Sequence, residues 1–178
     1  LALPNVGGAT AAALFDDTTG ALPSLLVCAG GQLLFWRRID AYTLLDASGS
    51  AHALGAPASV AAADLFGDAR HEVVLGGGGF TGPQILEFDA AGQLQPSTPA
   101  LPAAAPSAAP LFEQVHVGDV DGDGDVDIVH ELRVVTSDGL GGWSPGPGFA
   151  HLVPANALGL QPIDTDGDGD LDLVVWGP

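Results

Sequence analysis

The stretch "GDVDGDGDVDIV", Gly118 to Val129, places Asp119, Asp121, Asp123, Asp125 and Asp127 at alternate positions and then turns apolar. Two like charges about 5 Å apart repel by roughly 3 kcal/mol even at an effective dielectric of about 20, so five carboxylates in nine residues need a counter-charge. A second copy, "DTDGDGDLDLVV" from Asp164 to Val175, repeats the pattern 45 residues later. Aligned on these loops, "ADLFGDARHEVV" falls into the same frame from Asp64, and "DDTTGALPSLL" from Asp16. Four nine-residue loops result, at 16–24, 64–72, 119–127 and 164–172, with spacings of 48, 55 and 45 between their first aspartates. A period of 40–50 residues is the mark of a repeat architecture.

Each unit is written the same way. A run of small and apolar residues comes first ("TAAALF", "ASVAAA", "EQVHV", "ALGLQPI"), then the loop, then a short apolar run ("LLVCAGG", "VVLGGGG", "IVHEL", "LVVWGP"). The second runs hold four or five Val, Leu and Ile residues without alternation, which predicts strands buried on both faces. A third segment follows in three units ("QLLFWRR", "PQILEFD", "RVVTSD"), and Gly-rich turns such as "SDGLGG" come next. The Pro/Ala-rich stretch 95–110 fills the longest gap and reads as an outer strand plus a loop. With 26 Gly and 14 Pro and no helical periodicity, the prediction is all-β: one repeat domain over residues 1–178, built as β-propeller blades of four-stranded antiparallel sheets. Small residues in the first strand suit a crowded inner position. The fourth unit stops after its second strand, giving about three and a half blades, so a fragment, a ring completed by other chains or repeats, or an open stack with an exposed edge is expected.

The chemistry expected of the loops is a hard divalent cation. Oxygens at alternate positions of a short loop can turn onto one ion, and calcium accepts six to eight of them in flexible geometry. The expected ligands are Asp119, Asp121, Asp123 and Asp127 in the third unit and Asp164, Asp166, Asp168 and Asp172 in the fourth, with backbone carbonyls from Asp125 and Asp170. An EF-hand does not fit: it needs a Glu at position twelve, where this chain has His130 and Val175, and a helix after the loop.

"GDVDGDGDVDIV" and "DTDGDGDLDLVV" resemble the FG-GAP/VCBS repeat, the calcium-loop repeat also found in integrin-type propellers. The resemblance implies a β-propeller with calcium in the hairpin loop between the first two strands of a blade, two ions in all, and a carbonyl ligand at position seven, here Asp125 and Asp170. It further implies an extracellular or cell-surface module for adhesion or for binding protein or carbohydrate. The alternative is a non-catalytic or partial module of a secreted enzyme such as a polysaccharide-degrading hydrolase or lyase. The second loop departs from the pattern, with Phe66 at position three and Arg70 at position seven; Arg70 is expected either to replace the metal beside Asp64, Asp68 or Glu72 or to be a plain surface residue. The first loop keeps Asp16 alone, and no metal is expected there.

Composition narrows the partners. Lys and Arg total 4 against 22 acids, a formal charge of −18, which disfavours nucleic acid and anionic membranes. Ten of the acids lie in the two Asp-rich loops. No apolar run reaches the ~18 residues of a spanning helix. Cys28 is alone, so no internal disulfide forms, and it reads as a buried thiol. The chain begins at Leu1 and contains no Met, which suggests a processed or partial chain. No catalytic constellation is recognised: the five histidines lack ligand spacing, and "GGGGF" (76–80) lacks the helix a phosphate loop needs. Trp143, in "GLGGWSPGPG", reads as a loop residue that either stacks on a sugar face or packs, with packing preferred; Trp36 and Trp176 are expected to pack between blades.

Overall fold

The computed structural model describes residues 9–15, 23–40, 43–46, 57–77, 82–97, 101–102, 114–130, 133–148 and 157–177. Residues 16–22 of the first loop, His52, His151 and much of the 95–110 stretch lie outside them.

The described residues form strands and turns only. The first sheet runs β1 (Ala9–Phe15), β2 (Ser24–Ala29), β3 (Gln32–Arg38) and β4 (Leu44–Asp46); the second runs β5 (Ser59–Ala63), β6 (Glu72–Gly76), β7 (Gln84–Phe88) and β8 (Leu94–Pro96). The third runs β9 (Val115–Gly118), β10 (Asp127–His130), β11 (Arg133–Ser137) and β12 (Trp143–Gly148), and the fourth pairs β13 (Gly159–Ile163) with β14 (Asp172–Trp176). Every pairing is antiparallel between consecutive strands, so the four sequence units are four up-and-down sheets, as in propeller blades. The first strands are inner: β1 lies against β5, β5 against β9 and β9 against β13, and Leu14, Ala61, His116 and Gln161 from these four strands line one cleft. Alanine dominates β1 and β5 because neighbouring backbones approach there.

The core lies between sheets. Phe15, Leu26 and Cys28 meet Val73, Leu75 and Leu86 between the first and second, where the rings of Phe15, Phe35 and Phe88 sit 5.4–5.5 Å apart. Val74 and Ile85 meet Val115 and Ile128 between the second and third, and Val129 and Val134 meet Leu160 between the third and fourth. Alternate residues of β6 thus face opposite neighbours, which is why the second strands show no polar alternation. Burial pushes the Cys28 thiol up to about 11, which leaves it protonated and inert.

Two sequence expectations need correction. β14 is not buried on both faces: Leu173 and Val175 pack on the third sheet, whereas Val174 and Trp176 are exposed. The other difference is that Trp143 opens strand β12 rather than sitting in a loop, and its ring is partly buried with Phe66 between the second and third sheets. Its neighbours Pro145 and Gly146 disguised the strand; β12 is the outermost strand, bonded to β11 alone, where a residue without an N–H is tolerated.

Candidate metal centre

The second, third and fourth loops each join an inner strand to the second strand of their sheet, and the first aspartate shapes the loop. Asp119 accepts the Gly122 and Gly124 N–H groups, each at 2.8 Å, and Asp164 accepts those of Gly167 at 2.6 Å and Gly169 at 3.2 Å. Asp64 does the same for Asp68 at 3.1 Å and Ala69 at 2.8 Å. The sixth position needs left-handed backbone: Gly124 has φ +91° and Gly169 +103°, and Ala69 adopts +65° in the second loop despite its side chain.

In the third loop Asp119, Asp121 and Asp127 can each place a carboxylate oxygen within 4.8 Å of the others, and in the fourth Asp164, Asp166 and Asp168 do so. These are three of the four side-chain ligands expected in each loop. Asp123 turns an oxygen to the Asp125 N–H at 2.9 Å, and Asp172 is held by the N–H and hydroxyl of Thr165. An oxygen-only, anionic donor set on a short loop suits a hard cation, and a carboxylate that accepts an N–H retains lone pairs for a metal. The seventh-position side chains point away from their own triads: Asp125 lies against Gly139, and Asp170 against Gly122 of the preceding loop. A Cβ at Gly122, whose φ is +77°, would come 2.5 Å from Asp170 Oδ1. The Leu171 N–H also donates to the Asp119 carbonyl at 3.0 Å, so the two acidic loops touch. Desolvation and then the neighbouring carboxylates, Asp123 and Asp138 for Asp125 and Asp168 and Asp119 for Asp170, raise both groups above the usual carboxylate range.

Position nine has a role that the repeat pattern did not disclose. Asp127 is fully buried; one oxygen accepts the Val120 N–H and the other the Ser137 N–H, both at 2.9 Å, tying the loop to β11. Burial raises its pKa while these two bonds oppose the rise. Glu72 accepts the Leu65 N–H at 2.8 Å, and Ser24 accepts the Arg38 N–H at 3.3 Å. All four units therefore place a backbone-binding polar group there, including two whose residues differ from aspartate. That occupancy by Glu and Ser was the readable signal.

The second loop is built differently. Arg70 pairs with Asp68, Nε to Oδ2 at 3.5 Å, on the surface, where such a pair contributes little. Asp64 and Glu72 serve backbone N–H groups instead. Burial pushes Glu72 up to about 7 against the pull of the Leu65 N–H, with Asp68, Asp64 and Glu87 adding to the rise. A carboxyl whose folded pKa lies above its unfolded value favours the fold at low pH, and that stability is lost as pH climbs from about 4.5 through 7. Glu72→Gln keeps an acceptor without the charge. Melts in chelator should show it stabilised by ~1–3 kcal/mol at pH 8 and indistinguishable from the parent near pH 4.5. A loss of stability at pH 8 would mean that the ionised form is needed.

His116 hydrogen-bonds the Leu160 backbone across the third and fourth sheets, and burial holds it below the usual histidine range. Trp36 is buried in β3. No helix among the described residues is long and apolar enough to cross a membrane. No curated protein matches this chain. Residues 64–130, from the first position of the second loop to the last residue of β10, match the family model described as FG-GAP-like repeat, so the resemblance carried by the aspartate loops extends to this part of the chain.

Proposed function

We propose that this chain is a calcium-stabilised, non-catalytic β-propeller-type module that serves binding or adhesion outside the cell, with protein or glycan as its ligand. The observation that carries the reading is the pair of converging aspartate triads, 119/121/127 and 164/166/168, set in equivalent loops of adjacent sheets. Asp119, Asp121, Asp123 and Asp127 would hold one ion and Asp164, Asp166, Asp168 and Asp172 the other, with carbonyls of Asp125 and Asp170. The ion would neutralise carboxylates that otherwise repel one another. Exposed loops of this kind suit the millimolar calcium of extracellular fluid, where such modules bind in the 10⁻⁴–10⁻³ M range.

Isothermal titration of chelator-treated protein should give two equivalents of calcium. Asp121→Ala and Asp166→Ala should each remove one, since both side chains are exposed members of a triad. A stoichiometry near zero, or two sites surviving both substitutions, contradicts the assignment. A glycan array run with and without calcium then tests the ligand class.

A further inference from the structure

Five peptide bonds of this chain join Asp to Gly: 121–122, 123–124, 138–139, 166–167 and 168–169. Asp–Gly is the peptide most prone to spontaneous isomerisation, because glycine has no side chain to shield the attacking nitrogen. The Gly nitrogen adds to the Asp Cγ; a C–N bond forms, a carboxyl C–O bond breaks, and water leaves. The succinimide so formed takes water back at either carbonyl and opens to aspartate or isoaspartate, with no oxidant, reductant or partner involved. The attack requires a nitrogen free to lose its proton. A hydrogen bond from that N–H to a carboxylate opposes the loss.

Four of the five bonds lie in exposed turns of the third and fourth loops. Each attacking N–H there is nevertheless engaged, and by the same residue of the loop. Asp119 takes the Gly122 N–H on Oδ1 and the Gly124 N–H on Oδ2, both at 2.8 Å. Asp164 takes Gly167 on Oδ1 at 2.6 Å and Gly169 on Oδ2 at 3.2 Å, the longest of the four. The fifth bond has a different holder: the Gly139 N–H donates to the Ser137 hydroxyl at 3.1 Å, while Asp138 turns Oδ1 to the N–H groups of Leu140 and Gly142. We infer that Asp119 and Asp164 guard their loops against isomerisation, and that Asp168, whose attacking neighbour is held most loosely, is the position where it begins. Isoaspartate inserts one methylene into the main chain and frees the former main-chain carbonyl carbon as the carboxylate. The Asp168 oxygen would then leave its place beside Asp164 and Asp166. Loss of a calcium equivalent with age rests on the metal sites proposed above, whereas the isomerisation itself is read in chelator and stands apart from them.

The whole chain is held in chelator in neutral buffer at ~37 °C beside a sample unfolded in urea, and isoaspartate is located by peptide mapping with fragmentation that separates the two isomers. The four loop positions should isomerise roughly tenfold more slowly in the folded chain than in urea, with Asp168 leading among them. Asp164→Ala should raise isoaspartate at Asp166 and Asp168 by roughly tenfold and leave Asp138 at the parent level. Should that variant lose its folded spectrum, Asp164→Asn keeps one acceptor oxygen and should release one of the two positions. Equal rates in folded and unfolded chain would overturn the inference. So would a folded Asp164 variant in which Asp138 rises as much as Asp168, or a parent chain in which Asp123 leads.

Discussion

Asp127→Ala should destabilise the protein by ~2–4 kcal/mol in chelator, and by more in calcium, where a proposed ligand is lost as well. The side chain is fully buried and accepts two backbone N–H groups, from Val120 in its own loop and Ser137 at the end of β11. Truncation leaves both donors without a partner, and each buried orphan costs about 1–3 kcal/mol. Removing a desolvated carboxylate offsets part of this, which keeps the expectation below the sum. The damage should spread to the second sheet, because the Ser137 hydroxyl contacts the Leu65 carbonyl at 3.5 Å. Asp172→Ala supplies the contrast. Asp172 occupies the same repeat position but is exposed, and among the described residues it bonds only Thr165. Its loss should change stability in chelator far less than the loss of Asp127 and appear mainly as weaker calcium binding. Chemical denaturation of the two variants with and without calcium separates the roles. If both are silent in chelator, position nine is a metal ligand alone and the staple described above is wrong.

The two intact aspartate loops were legible because the same residues recur in register and are followed by β-branched runs. The four-sheet organisation followed from the same frame, since a strand of four or five apolar residues cannot bury itself and must stack on its neighbours. What the sequence concealed was local geometry of three kinds. Pro145 and Pro147 in β12 read as loop residues because the rule against proline in strands applies to bonded edges, and β12 has a free one. "LVVWGP" carries the same apolar signal as its counterparts, yet β14 is half exposed, because among the described residues only the third sheet packs on it, which apolar spacing does not report. The inward turn of Asp127 and the outward turn of Asp172 come from nearly identical loops; the difference lies in position two, where Thr165 holds Asp172 with its N–H and hydroxyl and Val120 offers Asp127 its N–H alone, and in Ser137, ten residues away, which reaches Asp127. The place of Trp143 was likewise set by Phe66 of another unit rather than by its own glycine-rich surroundings.

Calcium should raise the melting temperature by on the order of ten degrees over chelator at pH 7, and the gap should close as pH falls. An ion that binds only the folded chain stabilises it by RT ln(1 + [L]/Kd), about 2.7 kcal/mol at a hundredfold excess over Kd, and two sites roughly double that. At about 2–4 °C per kcal/mol for a chain of this size, the shift is large enough to read without ambiguity. The pH dependence contributed by the two aspartate loops should have opposite signs in the two buffers. Without the ion, Glu72, Asp125, Asp127 and Asp170 all titrate above their ordinary values, so the fold binds more protons than the unfolded chain and loses stability as pH rises through their pKa values, up to about 7 for Glu72. Asp138 and Asp172 are held below the ordinary value by hydrogen bonds and work the other way, but they are the minority. In saturating calcium the loop aspartates must be ionised to hold the metal, so their contribution to stability should rise with pH, while Glu72, which is no ligand, keeps the slope it has in chelator. Magnesium should rescue less, because it demands tight octahedral geometry and gives up its waters reluctantly. The measurement is a set of melts at pH 4, 5.5 and 7 in calcium, magnesium and chelator. Coincident curves in all three at pH 7 would reduce the aspartate loops to solvated turns. A calcium gap that does not shrink toward pH 4 would place the ion on groups other than these carboxylates.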